Sequence, residues 1–141
     1  MSTSTTLAAR PIWHVGAIAG AIAALVLYGY GSIAAALPIP MRAAGLGAHT
    51  ATVIGPGDFA MGTALCTVVG TILAIVLARY SARPARHFLR VTVSLDLISL
   101  VFPLTATDTA ISTRVVLACG HLLAATIVIP ILTHHLGHRV A

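Results

Sequence analysis

The chain has 141 residues, 58% of them hydrophobic and only 8% charged, with no lysine and no glutamate. A soluble domain carries about a quarter charged residues to keep its surface wetted; that surface is missing here, so lipid must be the solvent for most of the chain. Eight arginines against three aspartates give a net charge of +5, but they punctuate long apolar runs instead of forming a basic stripe, which argues against nucleic acid as a partner and for lipid headgroups.

Residues 1–11 read as a polar, Ser/Thr-rich tail without fixed structure. Ile12–Leu37 follows without a charge. It exceeds both the roughly 20 residues that cross a hydrocarbon core and the apolar core of a cleaved secretory signal, so it reads as a first span. Gly16 and Gly20, with Ala17, Ala21 and Ala24, form a stripe of small residues that lets another helix approach closely, including one from a second copy of the chain. Trp13 and His14 suit an interface. Tyr28 and Tyr30 lie deeper and are expected to face the bundle interior.

Residues 38–56 hold three prolines and three glycines, so they read as a loop with a short interfacial helix around 41–50. The second span covers about 57–79, where Gly62, Cys66 and Gly70 recur every four residues and predict its packing face. The arginine-rich stretch 79–90 reads as a loop. The third span, about 88–104, is the shortest at roughly 25 Å, and is expected to start earlier or to thin the bilayer. A brief turn leads to the fourth span, 111–133, and residues 134–141 form a tail.

Arg10, Arg79, Arg83, Arg86, Arg90 and Arg139 fall on one side of these spans, and Arg42 and Arg114 on the other. The tendency of positive segments to stay inside places both termini and the 79–90 stretch in the cytoplasm. The expected fold is therefore an all-α membrane protein: a four-helix transmembrane bundle of up-down topology in the cell membrane, the inner membrane of a bacterium.

The third span carries Asp96 in the middle of the run VTVSLDLISLVFPL. A charge at that depth costs at least about 2.5 kcal/mol on insertion scales, so intramembrane acids usually have a purpose. Helical spacing sets Thr92, Asp96, Ser99 and Pro103 on one face, and Arg114, Ala118, His121 and Ala125 on one face of the fourth span. Antiparallel packing brings Asp96 and His121 to similar depth. Asp58, Gly62 and Cys66 are expected to add a third stripe, lining a small polar cavity.

Plainer readings stand beside these. Asp58 follows Gly55-Pro56-Gly57 and Asp108 precedes Thr109-Ala110-Ile111, so each suits a helix N-cap. Arg114 suits the outer headgroups or an ion pair with Asp58 or Asp108. Cys66 and Cys119 read as small core residues, and His134, His135 and His138 as an interfacial tail that contains a metal-competent i, i+4 pair. No cofactor is expected: nucleotide and zinc-protease motifs are missing, and His14, His87 and His121 do not pair at one depth to hold haem.

VSLDLISLVFPL followed by RVVLACGHLLAATIVIP resembles the C-terminal half of a bacterial family of small four-span membrane proteins of unknown function. The shared steps are Ser-Leu-x-x-Pro-Leu, on Ser99, Leu100, Pro103 and Leu104, and His-Leu-x-x-Ala…Ile-Pro, on His121, Leu122, Ala125, Ile129 and Pro130. The resemblance implies the four-span topology and a histidine in the fourth span, and supplies no activity. Asp96 departs from the aliphatic residue that the family pattern leads one to expect.

Low-dielectric surroundings favour the neutral acid over the carboxylate, and a neutral carboxylic acid is a competent proton donor. The chemistry expected of Asp96 is thus general-acid cyclisation or isomerisation of a lipophilic, isoprenoid-type substrate, as in membrane-embedded terpene cyclases. His121 would orient the acid or accept a proton, and Tyr28 or Tyr30 would shield cationic intermediates. Two other classes compete: a non-catalytic accessory or assembly subunit, and a proton-coupled small-molecule exporter that would have to dimerise, with the Gly16/Gly20 stripe as a surface.

Overall fold

The computed structural model describes residues 10–44, 50–105 and 109–138. Backbone polar groups cannot be left bare in hydrocarbon, so runs this apolar close their hydrogen bonds within helices. The helices are α1 (Ile12–Ala36), α2 (Pro56–Tyr80), α3 (Pro84–Ser99), a short continuation α4 (Val101–Thr105) and α5 (Ile111–His138). With α3 and α4 taken together, these make four helical units long and apolar enough to cross a membrane. The all-α, four-helix membrane architecture read from the sequence is the one observed.

Three boundaries differ from expectation. The stretch 79–90 is mostly helix: only Ser81–Arg83 separate α2 from α3. Proline is well suited to the first turn of a helix, where its missing N–H has no partner to lose, so Pro84 opens α3 and Arg86, His87 and Arg90 ride on its first turns. The helix α5 runs through Pro130 and past Thr133 to His138, so His134–His138 continue the helix and are no separate tail. At the start of the stretch 41–50, expected to hold a short helix, Arg42–Ala43 (β1) pairs antiparallel with Thr52–Val53 (β2), Arg42 opposite Val53. The N-terminal tail, residues 45–49 of the loop, Asp108 and Arg139 lie outside the described residues.

The packing face of α2 is not the one the glycines predict. Gly62 and Cys66 are exposed, and a Cβ added at Gly62 or Gly70 would meet nothing within 4 Å. The buried face is Phe59, Thr63, Thr67, Thr71 and Ala74. Its threonine hydroxyls are satisfied one turn back in their own helix: Thr63 donates to the Phe59 carbonyl (2.8 Å), Thr67 to Thr63 (2.8 Å) and Thr71 to Thr67 (2.7 Å). So bonded, a threonine presents a short, largely apolar surface. Against it lie Gly16 and Gly20 of α1: a Cβ at Gly20 would stand 3.0 Å from the Thr67 methyl, and one at Gly16 would collide with Thr71.

The pairs Gly16–Thr71, Gly20–Thr67 and Gly31–Phe59 make α1 antiparallel to α2. At one end of the bundle Ile12, Ala74, Phe88, Leu132 and Leu136 form a core that joins α1, α2, α3 and α5. At the other, Leu27, Ala34, Met41 and Phe59 form a second core, covered in part by the 37–55 connection. Thr113, fully buried, donates to the Pro40 carbonyl at 2.6 Å and pins that connection to α5. Large apolar side chains such as Leu25, Leu65, Val69, Leu97 and Ile98 face outward, as lipid solvation requires.

Filling the α1–α2 contact should cost stability where filling the opposite face does not. Gly16→Leu is expected to destabilise the protein by about 1–3 kcal/mol, the usual cost of overpacking, while Gly62→Leu should stay within about 0.5 kcal/mol of wild type. Unfolding titrations of the detergent-solubilised protein measure both.

Candidate functional site

The face of α3 that turns toward the other helices carries Phe88, Thr92, Asp96, Ser99 and, in α4, Pro103, all buried or half-buried, whereas Val91, Val93, Leu95, Leu97 and Ile98 are exposed. The spacing of these polar residues in the sequence gives the same face. Two of its hydroxyls are taken up locally: Thr92 donates to the Phe88 carbonyl and Ser99 to the Asp96 carbonyl, each at 2.7 Å. Ser99 therefore supports its own backbone and does not orient the Asp96 carboxyl.

Asp96 sits mid-helix, where every backbone N–H is already bonded along the helix and none is free to be capped. Its carboxyl lies within electrostatic reach of His121 on α5. The His121 Nδ1 is 3.2 Å from the Leu117 carbonyl oxygen of its own helix. A carbonyl can only accept, so Nδ1 carries the hydrogen and, in the neutral ring, Nε2 is left as the basic nitrogen. Asp96 is half-buried and His121 exposed. Asp96 thus lies toward the edge of the inner face of α3, and His121 on the exposed side of α5.

The polar cavity lined by three stripes, expected around Asp96 and His121, is not the arrangement observed. Asp58, Gly62 and Cys66 are all exposed, because α2 turns its threonine face inward instead. Asp58 Oδ2 accepts the Gly55 N–H at 2.7 Å, closing half of a capping box at the start of α2. Arg114 donates through Nε to the Thr109 carbonyl (3.1 Å) and through Nη1 to the Leu104 carbonyl (3.2 Å), so it ties the end of α4 to the start of α5. Two cavities are described. One, of about 380 Å³, lies between α1 and α2 beside Trp13, Ala17, Ala21 and Ile75; the other, of about 220 Å³, lies between the α2–α3 turn and the end of α5. Neither includes Asp96 or His121.

The two tyrosines part company. Tyr28 is half-exposed on the outer surface of α1 and cannot shield anything at Asp96. Tyr30 turns inward, donates to the Val116 carbonyl at 2.9 Å and meets the Phe59 ring edge-on at 5.8 Å. Gly120 permits this junction, since a Cβ there would lie 3.2 Å from Phe59 and 3.5 Å from Tyr30. Cys66 and Cys119, read as core residues, are both exposed; on helices whose outer face is lipid, a thiol is as comfortable outside as in.

Sequence reasoning missed Thr63, Thr67, Thr71 and Thr113. For the three in α2 the signal was present as threonine at every fourth position, matching the Gly16–Gly20 spacing, but Gly62, Cys66 and Gly70 at the same spacing in the same helix offered a competing pattern.

Four apolar helices with large side chains facing outward are the make-up of a multi-pass membrane protein, and Asp96 lies within the third of them. Over residues 7–138 the sequence matches a family of unknown function, DUF6069, and the chain belongs to that family. Neither a curated protein nor a solved structure shows a significant match.

Capping and catalysis make different demands on Asp58. If its role is the cap, Asp58→Ala should lower stability by about 1 kcal/mol and Asp58→Asn, which keeps an acceptor oxygen, by clearly less. Unfolding midpoints of the two variants in one detergent give the comparison.

Proposed function

We propose that the Asp96–His121 pair is the working centre of the protein, and that it exchanges protons with a lipid-soluble molecule arriving sideways from the bilayer. The supporting observation is an acid with no backbone N–H to cap, within electrostatic reach of an imidazole whose Nδ1 is engaged and whose Nε2 is left basic. The reaction this suits best is isomerisation of an isoprenoid-type alkene. Asp96 donates its proton to one alkene carbon, leaving a carbocation on the other. His121 Nε2 removes a proton from a neighbouring carbon, and that C–H pair forms the new double bond. The proton then returns from His121 to Asp96, which restores both groups with no net proton consumed. Cyclisation suits the site less well, because folding a chain into a ring requires a template around it, and His121 lies on the exposed side of α5.

In this reading the arginine-rich end, with both termini, lies in the cytoplasm of a bacterial cell. Lipids and the lipophilic substrate are the partners. Gly16 and Gly20 are already occupied by Thr71 and Thr67, so a dimer would have to use another face. A second reading, an accessory subunit in which the pair only holds helices together, draws support from the exposure of His121 and from the small buried share of the α3–α4 unit.

One variant separates the two. Asp96→Asn preserves shape and hydrogen bonding but has no proton to donate, so turnover should fall by about 10²–10⁴-fold, the usual weight of a general acid, with the helical content unchanged. Lipid extracts of cells carrying wild-type or variant protein, compared by mass spectrometry, give the readout. Identical extracts together with a lowered unfolding midpoint would sink the enzyme reading and leave the accessory one.

A further inference from the structure

We propose that the last turn of α5 is a chelating site for a divalent first-row transition-metal ion, held by His134 and His138. The argument is independent of Asp96. The two residues are one helical turn apart, their rings meet edge to face with centroids 4.3 Å apart, and their Nε2 atoms converge to 3.0 Å. Metal–imidazole bonds are about 2.0–2.1 Å long, which places two adjacent ligand nitrogens about 2.9 Å apart in square-planar geometry and about 3.4 Å apart in tetrahedral geometry. The observed separation falls within that span, so the two nitrogens already stand at ligand spacing, and a turn of the rings about their side-chain bonds aims both lone pairs at one ion.

The chemistry selects the ion class. Without metal, two facing Nε2 atoms can bond only if one carries a hydrogen; when a metal ion binds, that hydrogen moves to Nδ1 of the same ring through solvent, and both Nε2 lone pairs are satisfied by the ion with no net change in protons. A purely imidazole donor pair suits Zn²⁺, Ni²⁺ or Cu²⁺, and not Mg²⁺ or Ca²⁺, which want oxygen. Among the described residues no third His, Cys or Asp completes the set, so water fills the remaining positions. Both side chains are exposed. His135, half-buried, lies on a different face.

The position gives the ion a structural effect. Gly137 sits inside the turn that the two histidines bracket, and glycine weakens a helix there by its backbone freedom. A metal bridging 134 to 138 would clamp that turn. Leu136 and Gly137 also form one wall of the cavity whose opposite wall carries Arg83, Pro84 and Arg86, so the clamp would fix the shape of that cavity.

The test is a Zn²⁺ titration of the full chain in detergent, purified without a polyhistidine tag and followed by calorimetry and by amide exchange at residues 134–138. Wild type should bind one ion per chain and show slower exchange in this turn when loaded. His134→Ala and His138→Ala should each weaken binding at least tenfold, while His135→Ala and His121→Ala leave it within twofold; circular dichroism checks that every variant keeps its helices. Absence of binding by wild type, undiminished binding by either ligand variant, or loss of binding in His135→Ala would overturn the proposal.

Discussion

In hydrocarbon a polar group has no water to fall back on, and many of the described hydroxyl side chains are resolved by a local device. Serine and threonine hydroxyls reach back to a carbonyl one turn earlier in the same helix: Ser32 to Tyr28, the Thr63–Thr67–Thr71 series in α2, Thr92 to Phe88, Ser99 to Asp96, Thr105 to Val101 and Thr126 to Leu123. The bond asks nothing of a neighbouring helix. Among the described residues Thr133 is an exception, with a buried hydroxyl oxygen that has no partner, and its surroundings offer no physical account of it.

Local satisfaction decides what can pack. Once its hydroxyl is bonded internally, a threonine behaves toward its neighbour as a small, stiff, nearly apolar residue, and a row of them makes a shallow ridge that accepts a glycine stripe. Van der Waals contact between closely approaching backbones is the main force available between helices in lipid. The α1–α2 pair, built from Gly16 and Gly20 against Thr71 and Thr67, is the most extensive helix contact in the bundle. Hydrogen bonds between segments sit toward the end that carries Met41 and Phe59, where Tyr30 reaches Val116, Thr113 reaches Pro40 and Arg114 reaches Leu104.

The membrane character and the number of spans were legible because hydropathy and length carry them directly: no arrangement of so few charges could wet a soluble surface. The inward face of α3 was legible because polar residues in a sparse apolar helix mark their own side. What the sequence could not arbitrate was the competition within α2, where the small residues Gly62, Cys66 and Gly70 and the threonines Thr63, Thr67 and Thr71 each recur every fourth position, on different faces. The small residue was taken for the contact; the shape of the partner, a stripe already made of glycines, favoured the ridge. The 79–90 stretch misled for another reason. Four arginines look like a loop, but an arginine on the first turn of a helix can extend its charge to the headgroups while its stem stays on the helix.

Against this background of self-sufficient hydroxyls, Asp96 and His121 differ in kind. A carboxylic acid in mid-helix has no free N–H of its own helix to bond, since each is engaged along the ladder, and its protonated form needs an acceptor that is not an already bonded carbonyl. The His121 Nδ1 is turned to the Leu117 carbonyl, which leaves the other nitrogen unengaged by its own helix. The local rule that satisfies the threonines thus also sets the tautomer of the histidine whose field reaches Asp96. A structural clasp would be served as well by two neutral amides, whereas the proposed proton exchange requires one transferable proton and one basic nitrogen.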